Sequence, residues 1–356
     1  MRFILFFFVF TSLYGSLHAY AFLKAKMAFS FGRGTGISLA LIMAFMVFCP
    51  ILVRVSERFG LEFLARLLAC AGYTWMGLLF LFVCASLVLD VYRLAATVIS
   101  LPFEKGISAW VITPRTAFYL ALLTSMGAGI YASLEANIIR EEHITIADSK
   151  IPEDAGRIRI VQVSDIHLGL IVREQRLERI RRKVREAGPD LLVSTGDLVD
   201  GQINDLSKMA SMFRSVKTTY GKFAVTGNHE YYAGLQRALS FTTAAGFKVL
   251  RGETASLQGL INIAGVDDPA GDRFGQESKV SEDSLLATLP REGFTLLLKH
   301  RPLVNQRSSG LFDLQLSGHA HKGQIFPFTL LIKLLYPIDA GLLRREIQNV
   351  LELLRA

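Results

Sequence analysis

Hydrophobic and polar positions follow two different rules along this chain. Within residues 1–143, apolar side chains come in long runs at about 3–23, 37–53, 67–89 and 116–134, each near the roughly 20 helical residues that a hydrocarbon core requires. The third run has the aromatic residues Tyr73 and Trp75, the small residues Gly72 and Gly77 and the unbroken apolar stretch 78–83, as suits a span packed against other helices. Residues 91–102 are also apolar, but Arg93 and Pro102 make them read as an interfacial or re-entrant segment. The expectation is a four-helix transmembrane region.

From residue 144 the texture changes to short β-branched runs alternating with helical patterns. Strands are predicted over 157–163, 190–194, 222–225, 262–266, 295–298 and 313–316, and helices over 173–187, 232–245 and 282–289. This alternation predicts an α/β domain whose sheets are covered by helices.

Composition supports the division. Of the 356 residues 51% are hydrophobic and 25 are Phe, while charged residues reach only 20%, below the roughly 25% usual for soluble domains. Such a chain is neither disordered nor fibrous. The net charge of +8 is spread evenly: residues 1–150 carry 12 basic against 8 acidic side chains and the remainder 27 against 23. Neither half is strongly basic and no DNA or RNA recognition motif is present, so nucleic acid is not an expected partner. Cys49, Cys70 and Cys84 all lie inside apolar runs and offer neither a disulfide framework nor a thiolate zinc motif.

The first apolar run also fits a cleaved secretory signal, with Arg2, the apolar stretch 4–10 and the small-residue pattern Ala19-Tyr20-Ala21. Either way the chain starts in the cytoplasm, and four crossings return residues 144–356 to the cytoplasmic face. Basic residues at the two sets of span ends nearly balance, so charge adds little to that orientation. The glycine-rich run Gly32, Gly34 and Gly36 follows no strand and precedes no Lys-Ser/Thr, which excludes a phosphate-cradling loop.

Within the α/β region, polar residues recur just after predicted strands: Asp165-Ile166-His167, Gly196-Asp197, Gly227-Asn228-His229-Glu230, His300 and Gly318-His319-Ala320-His321. Strand C-terminal ends are where open α/β sheets place ligands. Five of the 7 histidines sit in these segments. Imidazole, carboxylate and amide donors suit zinc, manganese, iron or related divalent ions, and an Asp-x-His spacing aims two side chains the same way from an extended segment. If Asp197 bridges two ions, the other donors divide into two partial shells with room for a hydroxide between them.

These five segments, in this order, resemble the calcineurin-like metallophosphoesterase family over roughly residues 155–330. The resemblance implies a four-layer α-β-β-α sandwich, and with the N-terminal spans it points to the membrane-anchored subgroup. It also implies that Asp165, His167, Asp197 and His321 hold one divalent metal ion and Asp197, Asn228, His300 and His319 a second. His229 would protonate the leaving oxygen rather than bind metal. The expected function is hydrolysis of a phosphate mono- or diester by a metal-bridging hydroxide, and the membrane anchor favours a lipid-linked substrate. A non-catalytic membrane sensor or scaffold retaining the metal site is the alternative of a different class. Glu230 and Asp200 read as supporting or capping residues rather than ligands.

Two further segments carry expectations. Residues 173–187 hold seven basic side chains opposite Leu177, Ile180, Val184 and Ala187, which makes a solvated basic helix or, beside a membrane, a contact for anionic headgroups. Ile347, Val350, Leu351 and Leu354 repeat at helical spacing, so the atypical tail 340–356 is expected to be helical and to lack the closing strands of the family.

Overall fold

The computed structural model describes residues 2–100, 111–201, 206–276, 280–320, 341–345 and 348–352. It comprises two compact units, Met1–Ile138 and Ile139–Ala356.

The first unit contains the helices α1 (Arg2–Phe29), α2 (Arg33–Arg58), α3 (Glu62–Ser100) and α4 (Pro114–Glu135). Tyr14, Ala21, Met43, Val47, Leu79, Phe82, Val83 and Ala121 form their shared core. Outward positions remain apolar, with Phe8, Leu41, Phe63, Val88 and Leu123 all exposed, as lipid-facing helices require. Over their described residues α2, α3 and α4 are long and apolar enough to cross a membrane. The fourth expected span lies within α1, a 28-residue helix that is not in that set. Residues 91–100 depart from expectation: they are not a re-entrant segment but the final turns of α3. Arg93 does not interrupt a helix that already contains Asp90, and Pro102, the residue that could, lies beyond its end and outside the described residues. Two polar contacts cross the bundle. Trp75 Nε1 donates to His18 Nε2 at 2.9 Å, and Asp90 pairs with Lys24 and accepts from the Tyr20 hydroxyl.

The second unit holds two sheets. The first, in order β1 (Ile160–Val163), β2 (Leu191–Ser194), β3 (Lys222–Ala224) and β4 (Lys248–Val249), is wholly parallel. Between these strands run α5 (Glu174–Ala187), α6 (Ser207–Arg214), α7 (Asn228–Ala233) and α8 (Leu235–Ala244). The second sheet has the order β5 (Glu253–Leu257), β6 (Ile261–Gly265), β7 (Phe294–Leu298), β8 (Leu314–Leu316), β10 (Gln348–Glu352) and β9 (Gly341–Arg345). A short α9 (Glu282–Leu286) precedes β7.

Strand alternation builds the layers. Val161, Val163 and Leu192 face Leu177, Ile180, Met209, Phe213 and Phe241 of α5, α6 and α8. Leu191, Val193 and Phe223 point the other way and meet Ile261, Ile263, Leu296, Leu298 and Leu316 of the second sheet. The far side of that sheet, with Ala264 and Leu297, packs on Leu285 and Leu286 of α9. The result is the four-layer α-β-β-α sandwich. Inner strands such as β2, β6 and β7 are buried at every position, the mark of a sheet covered on both faces.

The C-terminal tail overturns its expected helix. Residues 341–345 and 348–352 form an antiparallel pair, and β10 joins β8 in parallel with Asn349 opposite Leu314. An eight-residue apolar pattern is too short to separate helix from strand, and the open edge of β8 offers backbone partners that settle the choice. The tail thus ends the second sheet with a pair of strands.

Candidate metal centre

Every predicted ligand segment in the described residues lies just past the C-terminal end of a parallel strand: Asp165 and His167 after β1, Asp197 after β2, Asn228 and His229 after β3, His300 after β7 and His319 after β8. Three segments come from the first sheet and two from the second, so the sandwich itself brings them together. His321 lies outside the described residues.

Asp197 is the centre of the cluster. Its Oδ2 stands 3.2 Å from His300 Nε2 and 3.8 Å from His167 Nε2, while Oδ1 accepts from the backbone N–H of His229 at 2.8 Å. His300 Nε2 is also 3.2 Å from Asn228 Oδ1 and 3.1 Å from His319 Nδ1. Asp165 accepts the backbone N–H of His319 on both carboxylate oxygens and the hydroxyl of Ser164 at 2.5 Å. Ligand atoms of Asp197, His300 and His319 lie within 4.8 Å of one another, as do those of His167, Asp197 and His229.

The backbone is specialised here. Asp165, His167, Asp197 and His319 all have φ between 52° and 74°, in the left-handed region where non-glycine residues are uncommon. Such strain persists only where surroundings over-determine it, and it concentrates at functional sites. Close approach also dictates glycine: a Cβ on Gly227 would fall 2.2 Å from Asp197 Oδ1, and one on Gly196 (φ 98°) would fall 2.7 Å from His300 Nδ1.

Donor chemistry tests whether a cation fits. His300 Nδ1 lies 2.8 Å from the Thr195 carbonyl, which can only accept, so Nδ1 carries a hydrogen and Nε2 is the atom that must hold either a second proton or a cation where it faces Asp197, Asn228 Oδ1 and His319 Nδ1. Acceptors converging on acceptors need a positive charge between them. Burial alone would lower the His300 pKa, but the Asp197 carboxylate raises it to about 10, and His300 in turn depresses Asp197 to about 2 against its own burial. His319 is pushed down to about 4, by burial first and then by His300 and Arg301, so its imidazole is neutral and available as a ligand. The residues present fit a divalent cation.

Glu230 and Asp200 hold this arrangement. Fully buried Glu230 accepts four backbone N–H groups, from Gly227 at 2.7 Å, Leu198 at 2.8 Å, Asp197 at 2.9 Å and Val199 at 3.4 Å. One carboxylate thereby caps α7 and fixes the turn that carries Asp197. Asp200 Oδ1 is 2.9 Å from His229 Nδ1. Burial would lower the His229 pKa, but this hydrogen bond and the nearby carboxylates leave it raised. Behind His300, Arg301 makes a two-pronged pair with buried Asp268 at 2.7 and 2.9 Å. Sequence reasoning missed that fork, since neither residue belongs to a recurrent spacing.

Comparison with known proteins decides the family. The profile of the Calcineurin-like phosphoesterase family matches residues 158–323. An uncharacterized metallophosphoesterase of Aquifex aeolicus is 41% identical over 216 residues, covering 60% of this chain and 82% of that protein. The chain belongs to the calcineurin-like metallophosphoesterase family. A Helicobacter pylori metallophosphoesterase is 34% identical over 245 residues, 68% of this chain and 64% of its own length. A Danio rerio "transmembrane protein with metallophosphoesterase domain" is 32% identical over 239 residues, 63% of this chain and 54% of its own. The matched part thus spans less than two thirds of those last two relatives. As a member of the metallophosphoesterase family, the chain carries a metal-dependent phosphoesterase domain, joined here to apolar helices.

Glu230→Gln tests the clamp. The substitution keeps the volume but points an amide N–H₂ at backbone donors, so it should cost about 1–3 kcal/mol, the usual penalty for an unsatisfied buried group. Thermal unfolding of the purified chain should drop by several degrees, and an unchanged transition would contradict the role of Glu230 as acceptor.

Proposed function

We propose that the protein is a membrane-anchored phosphoesterase with two divalent metal ions, in which residues 1–143 hold the domain 144–356 at the cytoplasmic face of a membrane and the substrate is a phosphate mono- or diester with a lipid-linked group. The observation that carries this reading is the placement of the Asp197 carboxylate between His167 and His300, with an oxygen within reach of each. One carboxylate shared between two partial donor sets is what a pair of close cations needs.

The assignment of ligands follows. Asp165, His167, Asp197 and His321 hold one ion and Asp197, Asn228, His300 and His319 the other, with manganese, iron and zinc all compatible with such donors. When bound, the ions supply Lewis-acid polarisation of a phosphoryl oxygen and lower the pKa of water. The protein groups do the rest. Asp200 orients His229 through Nδ1, and the raised His229 pKa favours the imidazolium that can give a proton to the departing oxygen. Thr195 fixes the tautomer of His300, and Glu230 keeps the Asp197 turn in register with α7. The alternative of a non-catalytic sensor or scaffold drew on a tail expected to lack strands, whereas that tail carries the strand pair β9 and β10.

Membrane attachment draws support from α2, α3 and α4 and from the relatives described as transmembrane proteins. Counting α1 as a further crossing brings residues 139 onward back to the side of the N-terminus. The basic helix α5, whose Leu177, Ile180 and Val184 are buried, is then suited to an anionic inner leaflet, where each well-placed Lys or Arg contributes about 1 kcal/mol.

Four measurements test this reading. Asp197→Asn should lose most bound metal and all phosphoesterase activity. Two ions per chain retained by elemental analysis would rule out the bridging assignment. His229→Ala should spare metal content and lower turnover by roughly 10²–10⁴-fold, with a smaller loss for nitrophenyl esters, whose leaving groups need little protonation. Because the Asp200 carboxylate raises the His229 pKa, Asp200→Asn should move the alkaline limb of the pH–rate profile to lower pH. A limb that stays in place would remove His229 as the acid. Finally, protease added to sealed right-side-out vesicles should leave residues 151–356 intact, whereas their digestion with internal markers preserved would reverse the topology.

A further inference from the structure

Among the described residues of the α/β unit, the four most exposed large apolar side chains are Ile171 at 53%, Phe274 at 50%, Tyr232 at 49% and Leu303 at 45%. Scattered singly, such residues would mean nothing. These four are not scattered. Ile171 follows the Asp165-Ile166-His167 segment, Tyr232 stands one turn beyond His229, Leu303 lies three residues after His300, and Phe274 ends the segment that leaves β6. Ile171, Tyr232 and Leu303 thus follow strands that carry metal-ligand segments, and Phe274 follows β6, the neighbour of β7 in its sheet.

Two of them connect directly to the proton donor through a line of rings. His229 meets Tyr232 with centroids 5.2 Å apart, and Tyr232 meets Phe274 at 6.0 Å with the planes tilted by 53°. Buried Tyr231 supports Phe274 from behind, stacked at 6.3 Å. The 3₁₀ turn Pro269–Phe274 that presents Phe274 is rigidly held. Its cap Asp268 accepts from Ala270 and takes the two-pronged pair from Arg301, and a Cβ on Gly271 would already lie 3.0 Å from the Tyr231 ring. The exposed Phe274 ring is therefore held against Tyr232, which itself packs on His229.

We propose that Tyr232 and Phe274 form a subsite for the apolar part of the leaving alcohol, so that the preferred substrate is an amphiphilic phosphoester whose hydrocarbon begins close to the scissile bond. This rests on the phosphoesterase reading and on His229 as the acid. A leaving group departs toward its proton donor, and that donor, held at Nδ1 by Asp200, has the Tyr232 ring packed against its own. Recognition of a nucleobase calls for polar groups set at the ring edge. The other two strongly exposed apolar residues on the loops after ligand-bearing strands, Ile171 and Leu303, are aliphatic, which favours an alkyl or acyl chain.

The test uses the full-length chain in detergent, loaded with manganese, and butyl, hexyl and octyl phosphate below their micelle-forming concentrations. For the native protein kcat/KM should rise by about tenfold from butyl to octyl, chiefly through KM, as expected for partial burial of the added methylenes. Phe274→Ala and Tyr232→Ala should each flatten that rise, and Tyr232→Phe should restore it. Competition by octylphosphonate, which is not hydrolysed, should weaken in parallel. The same substitutions in every assay cancel partitioning of the probes into detergent. A rise with chain length that survives both alanine variants would overturn the subsite. So would a defect seen only with vesicle-embedded esters, which would mark the rings as a membrane contact. Hydrolysis of butyl phosphate with no chain-length dependence sinks the subsite alone, whereas no hydrolysis of any of the esters sinks the phosphoesterase reading with it.

Discussion

The candidate metal centre depends on one buried carboxylate whose oxygens are taken up by backbone donors. Glu230 accepts from the backbone of Gly227 and of three consecutive residues, Asp197, Leu198 and Val199. In water such a side chain would be free to turn; inside the sandwich it has no solvent to fall back on, so its oxygens must be used where they lie. The consequence is geometric. The turn after β2 and the start of α7 become one piece, and that piece presents Asp197, Asn228 and His229 together. Burial and the negative charge of Asp197 raise the Glu230 pKa, and the four backbone donors oppose that rise by stabilising the ionised form.

The second sheet is joined to this piece through polar contacts at its strand ends. His300, after β7, reaches the Thr195 carbonyl after β2, and the His319 backbone, after β8, reaches Asp165 after β1. Gln162 of β1 bonds both the Thr195 hydroxyl and the Ser317 carbonyl at 2.8 Å. The hydrophobic core between the sheets sets their separation, and these bonds set the relative positions of the two groups of donors. Neither would suffice alone: apolar packing tolerates sliding that a metal site does not.

Much of this was legible in the sequence, for specific reasons. Histidine and aspartate are rarely repeated after β-branched runs, so the segments from Asp165 to His319 stood out with their strands, and every strand predicted around them appears in the fold to within a few residues. What failed was local and short. Strand β4 has only two residues, β5 (Glu253–Leu257) has no β-branched apolar run and α6 spans only two turns, and in the tail 340–356 eight residues cannot separate the two periods. The helix expected at 232–245 is broken at Gly234, whose φ of 99° no helix accommodates, so the Asn228-His229-Glu230 segment opens a helix of its own. The Arg301–Asp268 fork was invisible because it depends on two loops that only the tertiary fold brings together.

The electrostatics explain why this arrangement selects cations rather than simply tolerating them. Asp165 and Asp197 bring negative charge into a site where burial lowers the dielectric screening, and His300 answers with a pKa of about 10. Yet Thr195 has already claimed Nδ1, so a proton on Nε2 is the one way for the side chain to carry that charge. A divalent cation would supply more charge at the same point, and the neutral donors Asn228 Oδ1 and His319 Nδ1 stand 3.2 and 3.1 Å from His300 Nε2. The strained backbone at Asp165, His167, Asp197 and His319 then has a physical reason to persist. Each of these residues gives up a favoured φ so that its side chain or amide meets a position set by the two sheets together, and cation binding is an interaction strong enough to compensate for that cost.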